Sequence, residues 1–256
     1  MITSSSNPQV KQLAALQKKT KERTAQDLFV VEGSKMYQEA PAERLVQTFV
    51  SESFYRKHNA HFEHAQQVTI LSDRVFESVS DTRTPQGVLC LVRQYHYERE
   101  DLLGETPLLM ILENLQDPGN LGTILRTAEG AGVTGILLGA GCVDLYNPKV
   151  IRSTMGSVYR MPFYYTEDLH SELLWLRSRG VTLYAAHLRG AGMYDGQDYR
   201  KPSGFLIGNE SRGLTDETAD LADVCIKIPM CGRVESLNAA VASSVLMYEA
   251  NRQRRK

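Results

Sequence analysis

Three stretches of the chain place glycine beside polar residues where apolar runs end. They are ENLQDPGNLGTILRTAEGAG at 113–132, LIGNESRGL at 206–214 and IPMCGRVESLNAA at 228–240. A nucleotide cofactor is held by backbone amides in loops at the carboxyl ends of strands, and glycine lets a backbone approach closely. The glycines suited to this role are Gly208, Gly213 and Gly232.

The segments that must position these loops alternate between strands and helices from residue 107 onward. Leu108–Leu112 is an unbroken apolar run, typical of a strand buried on both faces. A helix is predicted at about 121–130, and Ser236 is predicted to cap a final helix that begins with small residues. Further strands are predicted at 134–138, 161–164, 181–186, 204–207 and 224–228. This alternation predicts a parallel sheet with helices on both faces.

Residues 1–95 predict a smaller α/β sandwich. Asn7 is expected to cap a helix whose first residue is Pro8. Strands are predicted at 28–31, 45–50, 68–71 and 88–92, with helices between them. The polar stretch 96–106 is predicted to be a linker.

Composition is that of an ordinary globular protein: 256 residues, 42% hydrophobic and 23% charged, with a net charge of −1. The chain has no apolar run long enough to span a membrane and no signal-peptide core at its start, and its four cysteines form no CxxC pair. We therefore expect a reduced, cytoplasmic protein with no membrane partner.

Basic residues cluster in two places, which could be solvated faces or RNA-binding surfaces. The first cluster is Lys11, Lys18, Lys19, Lys21 and Arg23, and the second is Arg252, Arg254, Arg255 and Lys256.

The three stretches resemble, in order and spacing, the three motifs of the SpoU (TrmH) family of RNA 2′-O-ribose methyltransferases. We call 113–132 motif 1, 206–214 motif 2 and 228–240 motif 3. Residues 1–95 resemble more loosely the L30e-like RNA-binding domain that often precedes this domain, through LAALQKKTKER at 13–23 and FVVEG at 29–33. The resemblance implies an RNA substrate-binding domain at 1–95, a linker at 96–106 and a methyltransferase domain at 107–256.

The resemblance also implies the site residues. Those at the reaction centre would be Asn120, Arg126, Glu210, Ser236 and Asn238. S-adenosylmethionine would be held by Leu188, Gly208, Ile228, Met230 and Leu237, and RNA by Lys11, Lys18, Lys19 and Arg23. Free arginine is a very poor base, so we expect Arg126 to bind phosphate and fix the acceptor hydroxyl, with base action as the alternative.

The family's reaction transfers a methyl group from S-adenosylmethionine to a ribose hydroxyl, and it needs no metal and no redox cofactor. The implied fold is a parallel SPOUT sheet with a trefoil knot, and the implied assembly is a homodimer with the site near the interface. The expected substrate is 23S rRNA or a ribosomal precursor.

Several other functions stay open. The chain could be a tRNA 2′-O-methyltransferase, an antibiotic-resistance enzyme with the same architecture, or a non-catalytic RNA-binding factor of ribosome assembly. A Rossmann-type enzyme for another nucleotide is disfavoured, because the GxGxxG fingerprint and the GxxxxGK[ST] phosphate loop are both absent.

Overall fold

The computed structural model describes residues 1–58, 62, 67–188 and 190–255. Contacts divide these residues into two compact units. Unit 1 comprises Met1–Tyr95 and Asp144–Tyr159, and unit 2 comprises His96–Val143 and the chain from Arg160 onward. Unit 1 thus includes a segment from the interior of the predicted methyltransferase domain.

The elements of the described residues alternate along the chain. The helices are α1 (Pro8–Lys18), α2 (Thr20–Gln26), α3 (Ser34–Glu39), α4 (Glu52–His58), α5 (Asp73–Val79), α6 (Pro118–Ala131), α7 (Pro148–Thr154), α8 (Leu169–Ser178), α9 (Asp216–Asp220) and α10 (Ala239–Arg254). The strands are β1 (Leu28–Glu32), β2 (Leu45–Ser51), β3 (Val68–Leu71), β4 (Val88–Arg93), β5 (Leu108–Leu112), β6 (Gly135–Gly139), β7 (Phe163–Thr166), β8 (Thr182–Ala186), β9 (Gly192–Met193), β10 (Ser203–Ile207) and β11 (Val224–Lys227).

Unit 1 is built on a four-stranded sheet in the order β1-β4-β2-β3, in which β2 and β3 are parallel and the other pairs antiparallel. One face packs on the apolar stripes of α1 and α5, including Leu13, Leu16 and Phe76. On β1, neighbouring side chains point to opposite faces. Phe29 therefore faces away from that core, and its ring packs on the ring of Tyr146 with the two ring centroids 4.6 Å apart. Aromatic packing of this kind attaches the segment 144–159 to unit 1.

Arg23 of α2 is buried inside unit 1, with 3% of its surface exposed. Its guanidinium donates to Asp144 Oδ2 at 2.5 and 3.0 Å and to the carbonyl of Leu16 at 2.7 Å, with further bonds to Gln17 and Thr20. The expectation that Arg23 binds RNA is therefore wrong on physical grounds, because these contacts occupy its donors. The arginine instead ties the first two helices to Asp144.

Unit 2 is built on a seven-stranded parallel sheet in the order β7-β6-β5-β10-β8-β11-β9. The LLMIL run of β5 lies inside the sheet between β6 and β10, and all five residues are buried, as the apolar pattern predicts. The predicted α/β fold with a parallel sheet is confirmed. Within the described residues, no helix is both long and apolar enough to cross a membrane.

Two helices of unit 2 begin elsewhere than the sequence pattern predicts. Helix α6 begins at Pro118, because the Asp117 side chain accepts from the Asn120 amide and caps it. Asn120 consequently lies in the first turn. Helix α10 is capped by Asn238, whose Oδ1 accepts from the amides of Ala240 and Val241. The prediction that Ser236 is the cap is wrong; Ser236 precedes the helix in an irregular, exposed segment.

Candidate functional site

The centre of the unit 2 sheet is a topological switch point. The chain runs from β5 outward to β7 on one side and later returns to place β10 against the other side of β5. Leu112 and Ile207 are the last register pair of β5 and β10, so the loops after these strands leave the same edge together. In open α/β sheets such a crevice is where ligands bind. Motif 1 follows β5 and motif 2 spans the end of β10.

A chain of hydrogen bonds joins all three motifs at this edge. Asn120 of motif 1 donates from Nδ2 to Oε1 of Glu210 in motif 2 at 3.1 Å. Asn238 of motif 3 donates from Nδ2 to Oδ1 of Asn120 at 2.9 Å. Asn120 is buried, with 8% of its surface exposed, while Glu210 and Asn238 are exposed, so its two bonds are partly shielded from water. Glu210, Asn120 and Asn238 therefore form one continuous hydrogen-bond network.

The groups at the two ends of this series of hydrogen bonds, Glu210 and the first amides of α10, determine which atoms of Asn120 and Asn238 donate and which accept. The carboxylate of Glu210 only accepts, so the amide nitrogen of Asn120 must face it. The first backbone N–H groups of α10 only donate, so the amide oxygen of Asn238 must face them. The two remaining groups, Asn120 Oδ1 and Asn238 Nδ2, then match as acceptor and donor. An aspartate at position 120 or 238 would break this polarity.

Glu210 also binds the backbone at the start of α6. Its Oε1 accepts from the Asp117 amide at 2.9 Å, and its Oε2 accepts from the Gln116 amide at 3.3 Å. Partial burial would raise the pKa of Glu210, but the hydrogen bonds from Asp117, Asn120 and Gln116 outweigh it and lower the pKa. Glu210 is therefore an ionised organiser of the two loops.

Sequence reasoning missed further residues that fasten the same loops. Asn209 donates from Nδ2 to the Asn114 carbonyl at 2.9 Å, while its Oδ1 accepts from the amides of Ser211 and Arg212. The buried carboxylate of Glu113 binds Thr215. A detectable signal was present, since Glu113 and Asn114 directly follow an all-apolar strand.

Arg126 and Ser236 are not part of the hydrogen-bonded chain. Arg126 is exposed on α6, about 9 Å along the helix axis from Asn120. Among the residues that the structure describes, none accepts a hydrogen bond or forms an ion pair with its guanidinium. Ser236 is likewise exposed and without a described hydrogen bond. Both side chains are free to meet a ligand.

The residues expected to hold the cofactor lie in loops after three neighbouring strands, β8, β10 and β11. Leu188 is 66% exposed. Three further apolar side chains are partly exposed in or beside the β11 loop: Ile228, Met230 and Leu237. Partly exposed apolar side chains beside backbone polar groups fit the adenine and ribose of S-adenosylmethionine.

Gly208 is required by the loop itself. A Cβ at this position would lie 2.0 Å from the carbonyl carbon of Gly213 and 2.1 Å from the amide nitrogen of Leu214. These backbone atoms belong to the return of the motif 2 loop, which is closed by reciprocal hydrogen bonds between Asn209 and Gly213. Glycine at 208 therefore lets the loop fold back on its own strand.

We expect Gly208→Ala to destabilise unit 2 by about 2 kcal/mol, or roughly 4–8 °C in its unfolding temperature, because backbone must move. Gly232→Ala is the matched control, since its Cβ would meet nothing within 4 Å and its φ is not positive. Thermal unfolding followed by circular dichroism measures both. Equal losses in the two variants would contradict this account of the loop.

Comparisons with known proteins identify the family of the chain. Residues 107–248 match the SpoU rRNA Methylase family, and residues 7–90 match an MRM3-like substrate binding domain. The chain belongs to the SpoU rRNA methylase family. The resemblance drawn from the three motifs is thereby confirmed, as is the class of enzyme that it implied.

Some members of the SpoU family match nearly the whole chain, and others match part of it. A 23S rRNA (guanosine(2553)-2′-O)-methyltransferase of Bacillus subtilis is 31% identical over 247 residues, covering 96% of this chain and 97% of the relative. An AdoMet-bound rRNA methyltransferase structure from Sinorhizobium meliloti has a TM-score of 0.86 at 32% identity. The match covers 98% of this chain and 97% of the methyltransferase from that organism. A tRNA (guanosine(18)-2′-O)-methyltransferase of Thermus thermophilus is 40% identical over 153 residues, covering 58% of this chain and 76% of the relative. S-adenosylmethionine as cofactor is confirmed by these matches, while the trefoil knot and the cytoplasmic location stay predictions.

Proposed function

We propose that the protein transfers the methyl group of S-adenosylmethionine to a ribose 2′-hydroxyl of 23S rRNA. The observation that carries this proposal is the Glu210–Asn120–Asn238 chain, which joins the three motifs at the switch point of the sheet. The exposed Arg126 and Ser236 and the partly exposed apolar residues around this chain supply the surfaces that two substrates need.

Methyl transfer to a hydroxyl is an in-line displacement, in which the oxygen bonds to the methyl carbon as the carbon–sulfur bond breaks, and S-adenosylhomocysteine and the hydroxyl proton are released. The protein therefore acts mainly by orientation. S-adenosylmethionine supplies the electrophilic methyl group when it is bound. Leu188, Ile228, Met230 and Leu237 would hold its adenosine part. Arg126 binds the phosphate beside the acceptor ribose and fixes the hydroxyl, because guanidinium donors pair well with phosphate oxygens.

Glu210 organises the site and does not take up the hydroxyl proton. Both of its oxygens already accept hydrogen bonds from motif 1, and its pKa is lowered. Asn238 orients the start of α10, whose first residues follow the motif 3 loop directly. Ser236, two residues earlier, presents its hydroxyl to the substrates.

Unit 1 supplies the surface that recognises the RNA. Lys11, Lys18 and Lys19 are exposed on α1 and at its end, so their charges are available to phosphates. The C-terminal cluster contributes less. Arg252 pairs with Glu249, and Arg254 binds the backbone carbonyls of Tyr199, Thr106, Pro107 and Lys201, while Lys256 lies outside the described residues.

We expect Lys18→Ala combined with Lys19→Ala to weaken RNA binding. The magnitude of the slope of log affinity against log salt should fall by about 1–2, because fewer phosphate contacts form and fewer counterions are released on binding. Filter binding between 50 and 200 mM salt measures this slope. Lys149→Ala combined with Lys201→Ala removes two exposed lysines elsewhere and serves as the control. An unchanged slope in the first variant would exclude this surface.

The comparisons favour ribosomal RNA over tRNA. The 23S rRNA relative covers 96% of the chain and therefore includes most of unit 1, whereas the tRNA relative covers 58%. A unit present for RNA recognition should be shared by enzymes that recognise the same RNA. The tRNA reaction is the second candidate, favoured by the higher identity of that relative over the shorter match.

Transfer of labelled methyl groups from S-adenosylmethionine to unmodified 23S rRNA and to unmodified tRNA, in separate reactions, tests the substrate. Label in the ribosomal RNA alone supports the proposal. Label in the tRNA alone replaces it with the second candidate. No label in either RNA, or in a ribosomal precursor particle, overturns methyl transfer as the function.

The protein is further proposed to form a homodimer through one face of α10. Val241 and Tyr248 are 49% and 51% exposed, and Val245 lies between them on the same face. The Tyr248 hydroxyl lies 3.3 Å from the position that a Cβ of Gly130 would occupy, so this face adjoins α6. Gly130 is one turn from Arg126, which would place the site beside the second copy.

We expect Tyr248→Glu to shift the protein from dimer to monomer, because it buries a charge in the apolar face. Leu174→Glu, at a 53% exposed leucine of α8, should leave the dimer intact. Sedimentation velocity distinguishes the two states. A Tyr248→Glu variant that sediments like the unaltered dimer would exclude this face, and a monomeric unaltered protein would exclude the dimer.

A further inference from the structure

Glu113 is a buried acid directly behind the motif 2 loop. It follows β5, and only 8% of its surface is exposed. Its own amide donates to the Ile207 carbonyl at 2.9 Å and so extends the pairing of β5 with β10. A carboxylate in such a place is costly unless hydrogen bonds compensate its lost hydration.

Three donors surround this carboxylate, and all belong to one short segment. The Thr215 amide donates to Oε2 at 2.8 Å, and the Thr215 hydroxyl donates to Oε1 at 2.8 Å. The Thr218 hydroxyl, which is fully buried, donates to Oε1 at 2.6 Å. Hydrogen bonds to a charged acceptor are about twice as strong as neutral ones. Glu113 therefore fixes the segment 215–218 against β5.

Thr215 is the N-cap of α9, and motif 2 ends one residue before it at Leu214. Glu113 consequently anchors the far end of the motif 2 loop. The near end is held by the close approach of Gly208 to Gly213 and Leu214. Residues 209–213 between these anchors carry Glu210, so little freedom remains for its carboxylate.

The loops that follow β5 and β10 each contribute one carboxylate that binds the other loop. Glu113, from the end of β5, binds the segment that follows motif 2. Glu210, from motif 2, binds the segment of motif 1 that follows Glu113, at Gln116, Asp117 and Asn120. Loss of either carboxylate releases one side of the contact and leaves the other without a fixed partner.

We propose that Glu113 is a positioning residue that sets the place of Glu210 and of the motif 2 backbone for cofactor binding. The inference rests on the proposed function, since it concerns the site of methyl transfer. It adds a residue that touches neither substrate and acts through Thr215 and Thr218.

Glu113→Gln tests this role while keeping the size of the side chain. The amide can accept from some of the three donors but presents an NH₂ group to the others. We expect the dissociation constant for S-adenosylmethionine to rise by about 10-fold, by isothermal titration calorimetry. Backbone amides of 209–216 should exchange with deuterium at least ~10-fold faster, because the loop opens more often.

Glu172→Gln is the matched control. Glu172 is another acid of unit 2 with 8% of its surface exposed, and its carboxylate lies 3.5 Å from the guanidinium of Arg99. We expect it to leave cofactor affinity and exchange at 209–216 unchanged. Thr218→Val removes one donor and retains Glu113. It should raise the dissociation constant for S-adenosylmethionine and the exchange rate at 209–216 by about 3-fold each, which is less than Glu113→Gln does. It keeps the test decisive if Glu113→Gln does not fold.

Unchanged exchange at 209–216 in both Glu113→Gln and Thr218→Val would overturn the proposal, as would an equal loss of affinity in Glu172→Gln. The exchange measurement needs no cofactor. If the unaltered protein failed to bind S-adenosylmethionine, the proposed function would fall, while faster exchange in Glu113→Gln would still establish the anchoring of the loop.

Discussion

Arg126→Ala is expected to lower the rate of methyl transfer by at least ~100-fold, the loss typical of removing one preorganised group that stabilises a transition state. Its unfolding temperature should stay within about 2 °C of the unaltered protein, because exposed side chains without partners contribute little to stability. The guanidinium of Arg126 has no described partner, so its removal leaves no unsatisfied group behind.

Arg126→Lys separates charge from geometry. Lysine keeps the positive charge but lacks the planar fork that binds two phosphate oxygens, so we expect it to recover only a small part of the rate. Arg177→Ala is the control, because Arg177 is also an exposed helical arginine of unit 2 and forms a peripheral ion pair with Asp223 at 2.9 Å. Single-turnover kinetics measure all three. A normal rate in Arg126→Ala would remove this residue from the mechanism.

Asn120→Asp is expected to abolish measurable methyl transfer and to destabilise unit 2 by about 2 kcal/mol, or roughly 4–8 °C in unfolding temperature at neutral pH. The substitution changes one atom. It replaces the donor at 3.1 Å from Glu210 Oε1 with a second carboxylate oxygen, so two like charges face each other in a partly buried place.

The pH dependence of this variant has a definite sign. In the unaltered protein, hydrogen bonds lower the pKa of Glu210, so its stabilisation is present above the ordinary value of 4.5 and is lost as pH falls through the lowered pKa. In Asn120→Asp, repulsion raises the pKa of the carboxylate pair, so one proton binds as pH falls and restores a donor. The stability deficit of the variant should therefore shrink as pH is lowered from 7 to about 5.

Asn120→Ala is the companion variant, which also breaks the chain but introduces no charge. It should be inactive and destabilised, with a deficit that does not shrink on acidification. Chemical unfolding at several pH values measures both variants. A deficit in Asn120→Asp that stayed constant with pH would contradict the contact between positions 120 and 210.

Much of the framework was predictable because it depends on local patterns. The LLMIL run predicted the buried interior strand β5, and Asn7 before Pro8 predicted the start of α1. The resemblance of the three motifs to those of the SpoU family implied that Asn120, Glu210 and Asn238 belong to one site. Their direction of hydrogen bonding was not predictable, because it depends on the carboxylate at one end and the amides of α10 at the other.

The errors share one physical cause, which is that a residue's partners can be distant in sequence. Arg23 resembles its neighbouring lysines in sequence, yet Asp144, 121 positions away, takes its guanidinium into the core. Ser236 and Asn238 are equally good caps by residue type, and the bond from Asn238 to Asn120 favours the latter. The role of Glu113 depends on Thr215 and Thr218, about a hundred residues later.

The measurement that tests the central claim most directly is the chemical position of the transferred methyl group. RNA labelled by the protein with S-adenosylmethionine would be digested to nucleosides and analysed by mass spectrometry. The account predicts label in a 2′-O-methyl nucleoside, and far less of that product from Arg126→Ala in the same reaction time. Label on a base, or an equal yield of the 2′-O-methyl nucleoside from Arg126→Ala, would contradict it.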